Sequence, residues 1–257
     1  MDKIKQDIES RLRQLEQEEE IFIFYACESG SRAWGFPSAD SDYDVRFLYI
    51  HPKNWYLSID DKRDVIECKT SELIDIRGWD FRKALKLLHK SNPPLLEWLN
   101  SPIVYKQQLD IVEKIKVLMP EYYSPNSCLY HYLHMAEGNF REYLKGKIVW
   151  IKKYFYVLRP ILACKWIEAG YGVVPMEFEI LVNRLVGNDE LKTAIDELLK
   201  RKREGQELDK EPGIPIISKF IEAELDRLRN KSFDGNNGNP DTERLDEVFR
   251  WVLEEVW

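Results

Sequence analysis

SGSRAWGFPSADSDYDVR, residues 29–46, is the stretch from which the rest of the chain can be interpreted. It lies between two apolar runs, 21–27 and 45–50, and is therefore predicted to connect two buried strands. Alternation along the second strand puts Asp42 and Asp44 on one face. Two carboxylates on one strand face repel each other unless a cation lies between them, and this pattern is typical of a divalent-metal site with oxygen ligands.

The turn at the start of the same stretch offers a second kind of ligand. Gly30 and Ser31 supply backbone N–H groups and a hydroxyl suited to phosphate oxygens. Each part alone has a simpler explanation, because Asp-x-Asp and Gly-Ser are both common in ordinary turns. An EF-hand does not fit, since its sixth and twelfth positions would be Val45 and His51 instead of glycine and glutamate. A metal site beside a phosphate-binding turn is typical of phosphoryl or nucleotidyl transfer.

The joint pattern resembles the signature of the DNA polymerase beta-type nucleotidyltransferase superfamily, in which Gly-Ser and a nearby glycine precede Ser-Asp-x-Asp at the start of a strand. More narrowly, GSRAWGFPSADSDYDVRFLY (30–49) and DIRGWDFRKALKLLHKSNPPLLEWLNSPIVY (75–105) look like the YcgL-type predicted nucleotidyltransferases, a group associated with RNA repair. The resemblance covers most of residues 20–170. It implies an α+β fold with a small mixed β-sheet and flanking helices, followed by an all-helical domain that closes the cleft.

The resemblance also implies a third carboxylate on a neighbouring strand. Segments 64–69 and 72–77 are strand candidates that could form a hairpin. By resemblance we assign Asp75, with the role of binding the catalytic metal and helping to deprotonate the attacking hydroxyl. Glu67 and Asp80 are the alternatives. The predicted catalytic and metal-binding residues are Asp42, Asp44 and Asp75, and the implied cofactor is Mg²⁺ or Mn²⁺, with two ions.

Basic residues supply the candidate nucleotide ligands, each with a simpler alternative. Arg32 pairs either with a triphosphate or with a nearby carboxylate, and Arg46 either orients the acids on its strand face or binds phosphate. A helix predicted over 147–169 carries Lys152 and Arg159 among aromatic residues, which favours either a cleft lining or an ordinary solvated face. The predicted nucleotide-binding set is Gly30, Ser31, Arg32, Ser41, Lys152 and Arg159.

Composition limits the class of protein. The chain has 257 residues, 44% hydrophobic content and a net charge of −7, which argues against gripping nucleic acid by bulk charge but leaves room for a local basic groove. Four widely spaced cysteines indicate a reducing compartment. The charged N-terminus is not a signal peptide, and basic residues within 148–169 argue against a membrane span. We therefore expect a cytoplasmic protein with no membrane partner.

The order of predicted elements indicates two domains. Residues 1–121 are predicted to form the nucleotidyltransferase domain, and 122–257 a helical domain, because no strand pattern is found after 126. The predicted function is transfer of a nucleoside monophosphate from an NTP to an acceptor hydroxyl, which could belong to an RNA end, a protein or a small molecule. Two alternatives remain open: a nucleotide- or partner-binding module with little catalysis, and an antitoxin-like enzyme that transfers AMP to protein.

Overall fold

The computed structural model describes residues 2–69, 73–206, 208–231 and 240–257. The chain divides into two compact units, and neither of them is a single continuous stretch of sequence. Unit 1 comprises Met1–Ala33, Asp42–Tyr123 and Gly238–Trp257, and unit 2 comprises Trp34–Ser41 and Ser124–Asn237.

Unit 1 is organised around a mixed β-sheet. Its strands are β1 (Phe22–Ser29), β2 (Tyr43–Ile50), β3 (Val65–Lys69), β4 (Ile74–Asp80) and β5 (Val104–Gln107). Its helices, numbered in chain order, are α1 (Asp2–Glu18), α2 (Gly30–Ala33), α3 (Lys53–Tyr56), α4 (Phe81–His89), α5 (Pro93–Leu99), α6 (Ile111–Tyr122) and α12 (Glu243–Val256). The strand order is β3-β4-β2-β1-β5, in which β2 and β4 run parallel and the other neighbours run antiparallel.

Both faces of this sheet are packed, for reasons visible in the sequence. The apolar stripe of α1, which includes Ile8 and Leu12, is buried against a face that presents Val45 and Phe47 of β2. On the opposite face, the ring of Phe24 meets that of Phe81 from α4 edge to face, with ring centres 5.1 Å apart. Because side chains alternate along a strand, the face opposite Val45 and Phe47 also carries the acids at the start of β2.

Unit 2 is mainly helical, with α7 (Pro125–Asn139), α8 (Tyr154–Glu168), α9 (Phe178–Leu185), α10 (Asp189–Arg203) and α11 (Pro215–Arg229). It also contains two short antiparallel strands, β6 (Ile148–Trp150) and β7 (Lys210–Pro212). The predictions of no strand after 126 and of one helix over 147–169 are therefore wrong. A three-residue strand is too short to show a period, and its partner lies some sixty positions away in the sequence.

The predicted boundary between residues 121 and 122 would place segment 34–41 in the first unit and α12 in the second. The structure places each of them in the other unit. Segment 34–41 belongs to unit 2, where Phe36 stacks on Phe155 with ring centres 4.6 Å apart. Helix α12 belongs to unit 1, where Phe249 lies edge to face on Tyr56, with ring centres 4.9 Å apart. Aromatic packing, which hydrophobic periodicity does not locate, decides both assignments. The predicted α+β class, a mixed sheet with flanking helices and a mainly helical second part, is confirmed.

Candidate active site

The parallel pairing of β2 and β4 brings two of the predicted acids together. Asp44 lies directly beside Asp75 in the register of the two strands. Arg46, two residues along β2, places its guanidinium 2.9 Å from Asp44 Oδ1 and 3.0 Å from Asp75 Oδ2. The Asp44 and Asp75 side chains remain 31% and 30% exposed, so their carboxylates reach solvent at the surface of the sheet.

Asp42 lies in the turn that leads into β2. Its side chain is exposed, and its backbone carbonyl accepts a hydrogen bond from Arg32 Nε at 3.1 Å. The guanidinium of Arg32 also lies over the ring of Tyr43, 3.6 Å from the ring centre. Arg32 therefore fixes the backbone at the point where Asp42 enters the strand.

The predicted phosphate-binding turn contacts the same site. Ser29 pairs with Asp44 across β1 and β2, and the chain then turns at Gly30 with φ of +65°. A Cβ atom at position 30 would lie only 2.2 Å from Asp44 Oδ2. The position therefore requires glycine both for its backbone conformation and for its close approach to the carboxylate.

Glu28, a buried acid to which the sequence analysis gave no role, holds the backbone of Asp44 through a hydrogen bond. Glu28 of β1 is fully buried, and its carboxylate accepts a hydrogen bond from the Asp44 backbone N–H at 2.7 Å and another from the Tyr105 hydroxyl. Burial raises the pKa of Glu28 to about 7, although both hydrogen bonds oppose this rise. The signal in the sequence was an acid at the end of a strand that is otherwise almost wholly apolar.

The electrostatics of Asp44 suit a cation. Burial raises the pKa of Asp44 above its usual range; Arg46 opposes this rise, and the nearby Asp75 and Asp42 carboxylates add to it. Hard oxygen ligands that repel one another are the donor set that Mg²⁺ and Mn²⁺ prefer. Within the described ranges, no three His, Cys, Asp or Glu side chains are already grouped to hold a metal ion. In this conformation, Arg46 is the positive charge that bridges Asp44 and Asp75.

The alternative third acids are engaged elsewhere. Glu67 on β3 lies beside Arg77 in the strand register, and its carboxylate accepts a hydrogen bond from Arg63 at 2.6 Å. Asp80 caps α4 by accepting from the Arg82 N–H at 2.9 Å and is only 1% exposed. Asp75 is the candidate of the three whose strand register places it beside Asp44.

Three predicted nucleotide ligands lie in unit 2, and two of them are buried there. The Ser41 hydroxyl accepts from the Ser38 N–H at 2.9 Å, and Lys202 donates to the Ser38 hydroxyl at 2.7 Å. Arg159 is 2% exposed and lies over the ring of Trp34, 4.9 Å from the ring centre. Lys152 is exposed. Arg159 is therefore not on an ordinary solvated face, which was one of its two predicted settings, and the nucleotide-binding roles of Ser41, Lys152 and Arg159 stay predictions.

Known proteins are similar to this chain over nearly its whole length. A family model described as the RNA repair pathway DNA polymerase beta family matches residues 4–251. The uncharacterized protein YcgL of Bacillus subtilis (strain 168) is 50% identical over 255 residues, which is 99% of this chain and 98% of that protein. A crystal structure of a nucleotidyltransferase-like protein from Exiguobacterium sibiricum 255-15 has a TM-score of 0.33 and 13% identity, covering 96% of this chain and 90% of that one.

No described helix combines the length and apolar character needed to cross a membrane. The family model spans nearly the whole sequence, including the turn at Gly30, the acids of β2 and β4, and both units. This chain belongs to the RNA repair pathway DNA polymerase beta family, a nucleotidyltransferase family.

Proposed function

We propose that the protein transfers a nucleoside monophosphate from an NTP to an acceptor hydroxyl and releases pyrophosphate. The observation that carries the proposal is the alignment of Asp44 with Asp75 on neighbouring parallel strands, with the Gly30 turn packed against the Asp44 carboxylate. The sheet thus presents a carboxylate pair and a turn of backbone N–H groups together. This combination suits a triphosphate with its associated cations.

Each residue of the proposed site has a separate role in the reaction. The acceptor oxygen attacks the α-phosphorus, the bond to the pyrophosphate oxygen breaks, and pyrophosphate leaves. Asp75 accepts the proton of the attacking hydroxyl. Gly30 and Ser31 bind the β- and γ-phosphates through N–H and hydroxyl groups, and Arg32 adds a positive charge. Glu28 holds the backbone of Asp44 in place through the N–H that it accepts.

The donor set fits a divalent-metal requirement. Asp42, Asp44 and Asp75 would hold Mg²⁺ or Mn²⁺, two ions in all, which would lower the pKa of the acceptor hydroxyl and neutralise charge on the triphosphate. The proposal includes an RNA end as the favoured acceptor, because the matched family is described as part of an RNA repair pathway. It also includes a cytoplasmic location, since the cysteine usage is typical of a reducing compartment.

A transfer assay tests the proposal. The protein is incubated with each α-labelled NTP, with Mg²⁺ or Mn²⁺, and with separate RNA and protein acceptors. We expect label to move to RNA with the wild-type protein and not with Asp42→Asn. The matched control is Asp61→Asn, which changes an exposed carboxylate of unit 1 outside the site in the same way and should leave transfer unchanged.

Each other outcome has a definite meaning. Label on protein alone would replace the RNA acceptor with a protein acceptor. NTP binding with no transfer to either acceptor would favour the nucleotide-binding module. Full activity of Asp42→Asn would reject the proposed site, because a lost metal ligand costs several kcal/mol of transition-state stabilisation.

A further inference from the structure

A surface of unit 2 whose residues have no role in the proposed chemical step combines lysines with partly exposed aromatic rings. We call it the lysine–aromatic surface and define it by Tyr143, Trp150, Lys152, Lys153, Tyr156 and Lys210. The ammonium group of Lys153 lies between two rings, 4.3 Å from the centre of Tyr143 and 4.5 Å from the centre of Tyr156. Tyr156 is 41% exposed, so the edge of this pair is open to solvent.

The strand pair β6–β7 extends the surface. Trp150 and Lys210 lie directly opposite each other in the antiparallel register, and opposite residues project from the same face. Lys210 Nζ is 5.1 Å from the centre of the Trp150 ring, and Lys152 Nζ is 5.5 Å from it. The half-buried indole is therefore flanked by two exposed lysines. The prediction of one helix over 147–169 could not include this contact, because Lys210 lies about sixty residues further along the chain.

The charge of the surface is positive even though the chain as a whole is acidic. Lys145 and Lys147, just before β6, are also exposed. Three acids oppose this charge: Glu142 is hydrogen-bonded to Tyr143 and attracts Lys153, and Asp209 and Glu211 flank Lys210 in the sequence. The Glu211 carboxylate accepts from Arg201 at 2.6 Å, so part of this negative charge is already paired. In a protein of net charge −7, three lysines at these rings, with two more exposed lysines just before β6 in the sequence, are a local exception that suits a polyanion.

The combination of features points to one class of partner. Lysines alone would suit any phosphate, and aromatic rings alone would suit many apolar ligands. Alternating lysines and partly exposed rings suit a flexible chain of phosphates and unpaired bases, because each base can stack on a ring while the backbone meets the cations. A carboxylate-rich protein would use the charges but would not need the rings.

We propose that the lysine–aromatic surface binds single-stranded RNA and so recruits the acceptor of the transfer reaction. RNA is chosen over DNA because the matched family is described as part of an RNA repair pathway. The inference deepens the proposed function and rests on it for the identity of the acceptor. Binding to this surface requires neither an NTP nor a metal ion, so it can be measured with no transfer step.

Fluorescence anisotropy of the full-length protein with a labelled, unstructured RNA of about 15 nucleotides tests the proposal. We expect saturable binding that weakens as KCl rises from about 50 to 150 mM. The double variant Lys152→Glu and Lys210→Glu should bind about ten-fold more weakly or worse, with a lower salt dependence. The double variant Lys192→Glu and Lys219→Glu, which makes the same charge change elsewhere in unit 2, should bind within about two-fold of wild type.

The aromatic part of the surface has its own variant. Trp150→Ala should weaken RNA binding by at least about five-fold at unchanged salt dependence, and Trp150→Phe should recover most of the affinity, because a stacking ring is restored. Thermal unfolding of each variant checks that it is folded. The conservative Trp150→Phe and the two charge-reversal variants keep the test decisive if Trp150→Ala unfolds.

Three results would overturn the proposal. The first is no saturable RNA binding by the wild-type protein. The second is equal weakening by the two charge-reversal variants, which would indicate bulk charge and not this surface. The third is tighter binding to DNA of the same sequence than to RNA. None of these measurements involves transfer, so a failure here leaves nucleotidyl transfer itself standing. An inactive protein that still binds RNA would keep the RNA-binding surface and lose its role in recruiting an acceptor.

Discussion

The two ends of the β2–β4 pair carry the same type of side chain in opposite environments. At the end where the strands begin, Asp44 lies beside Asp75; at the end where they finish, Tyr49 lies beside Asp80. Asp80 is 1% exposed, and its oxygens accept from the Tyr56 hydroxyl at 2.5 Å and from a backbone N–H of α4. Asp75 is 30% exposed and is met by the guanidinium groups of Arg46 and Arg77.

This difference shows what separates a structural acid from a candidate catalytic one. The donors to Asp80 belong to a helix terminus and a packed ring, so they are part of the fold and cannot leave. The donors to Asp75 are the charged ends of arginine side chains at a partly exposed position, where a bound metal cation would compete with them for the carboxylate. Residue type and strand position are nearly the same in both cases, and the surroundings of the oxygens decide the role.

The largest expected effects come from replacing Asp75 and Asp80 in turn with asparagine. Asp75→Asn should lower nucleotidyl transfer by at least about a hundred-fold, because a carboxylate that binds a cation and takes up a proton becomes a neutral amide. Its melting temperature should stay close to that of wild type. Asp80→Asn should do the reverse, keeping most of the transfer activity and losing about 1–3 kcal/mol of unfolding free energy. Steady-state transfer rates and urea unfolding measure both variants.

Glu67→Gln is the control for this pair, since Glu67 is the remaining alternative acid and is hydrogen-bonded to Arg63 at the exposed surface. It should change neither transfer nor stability by a large amount. A Glu67→Gln protein as inactive as Asp75→Asn would show that the third acid had been misassigned.

The next effect compares alanine substitutions at two glycines with positive φ, of which only Gly30 packs against Asp44. Gly30→Ala should lower transfer by about ten-fold or more, because the new methyl group needs the space of the Asp44 carboxylate. Gly35→Ala, at φ of +91° and with nothing within 4 Å of its Cβ position, should cost only about 1 kcal/mol of backbone strain. Equal effects of the two substitutions on transfer, measured at matched stability, would contradict the close packing of the Gly30 turn on Asp44.

The smallest effect concerns the end of the β2–β4 pair where Asp80 is buried. His51 follows β2 at this end. Its ring stacks on Trp55 with centres 4.1 Å apart, and burial lowers the pKa of His51 to about 4, with Lys62 acting in the same direction. The unfolded chain, with a pKa near 6.5, takes up the proton first, so unfolding free energy should fall between about pH 6.5 and 4. The loss reaches on the order of 1–2 kcal/mol by about pH 5. Chemical denaturation at several pH values should show a shallower fall for His51→Gln than for the wild type, and identical slopes would be inconsistent with a buried neutral imidazole.

The acids of β2 and the adjoining Gly-Ser turn could be recognised from the sequence because they lie close together in the chain. Alternation puts Asp42, Asp44 and Arg46 on one face, and a Gly-Ser turn next to that strand needs no knowledge of distant contacts. Asp75 required the resemblance, because its position beside Asp44 depends on a parallel register that no local pattern determines. Segment 232–240 is rich in glycine and asparagine, a composition that predicts a flexible loop, and it falls mostly outside the described residues.

The rest could not be predicted because it depends on packing between distant segments. Glu28 gains its role from Tyr105, which is 77 positions away, and β6 exists because β7 pairs with it. Arg159 looked like a surface cation by residue type but is buried against Trp34, a residue of segment 34–41. Helix amphipathicity reports which positions are buried, and it does not report what they are buried against.

The position of α12 has a consequence for synthesis of the protein. Proteins are made from the N-terminus onward, and domains made first generally fold first. Unit 1 holds the candidate site, yet it includes α12, whose buried Leu245 and Val252 and half-buried Phe249 follow all of unit 2 in the sequence. Unit 1 is therefore complete only after α12 has been synthesised, so a translation product truncated before residue 243 would carry the nucleotidyltransferase signature without the helix that packs on Tyr56.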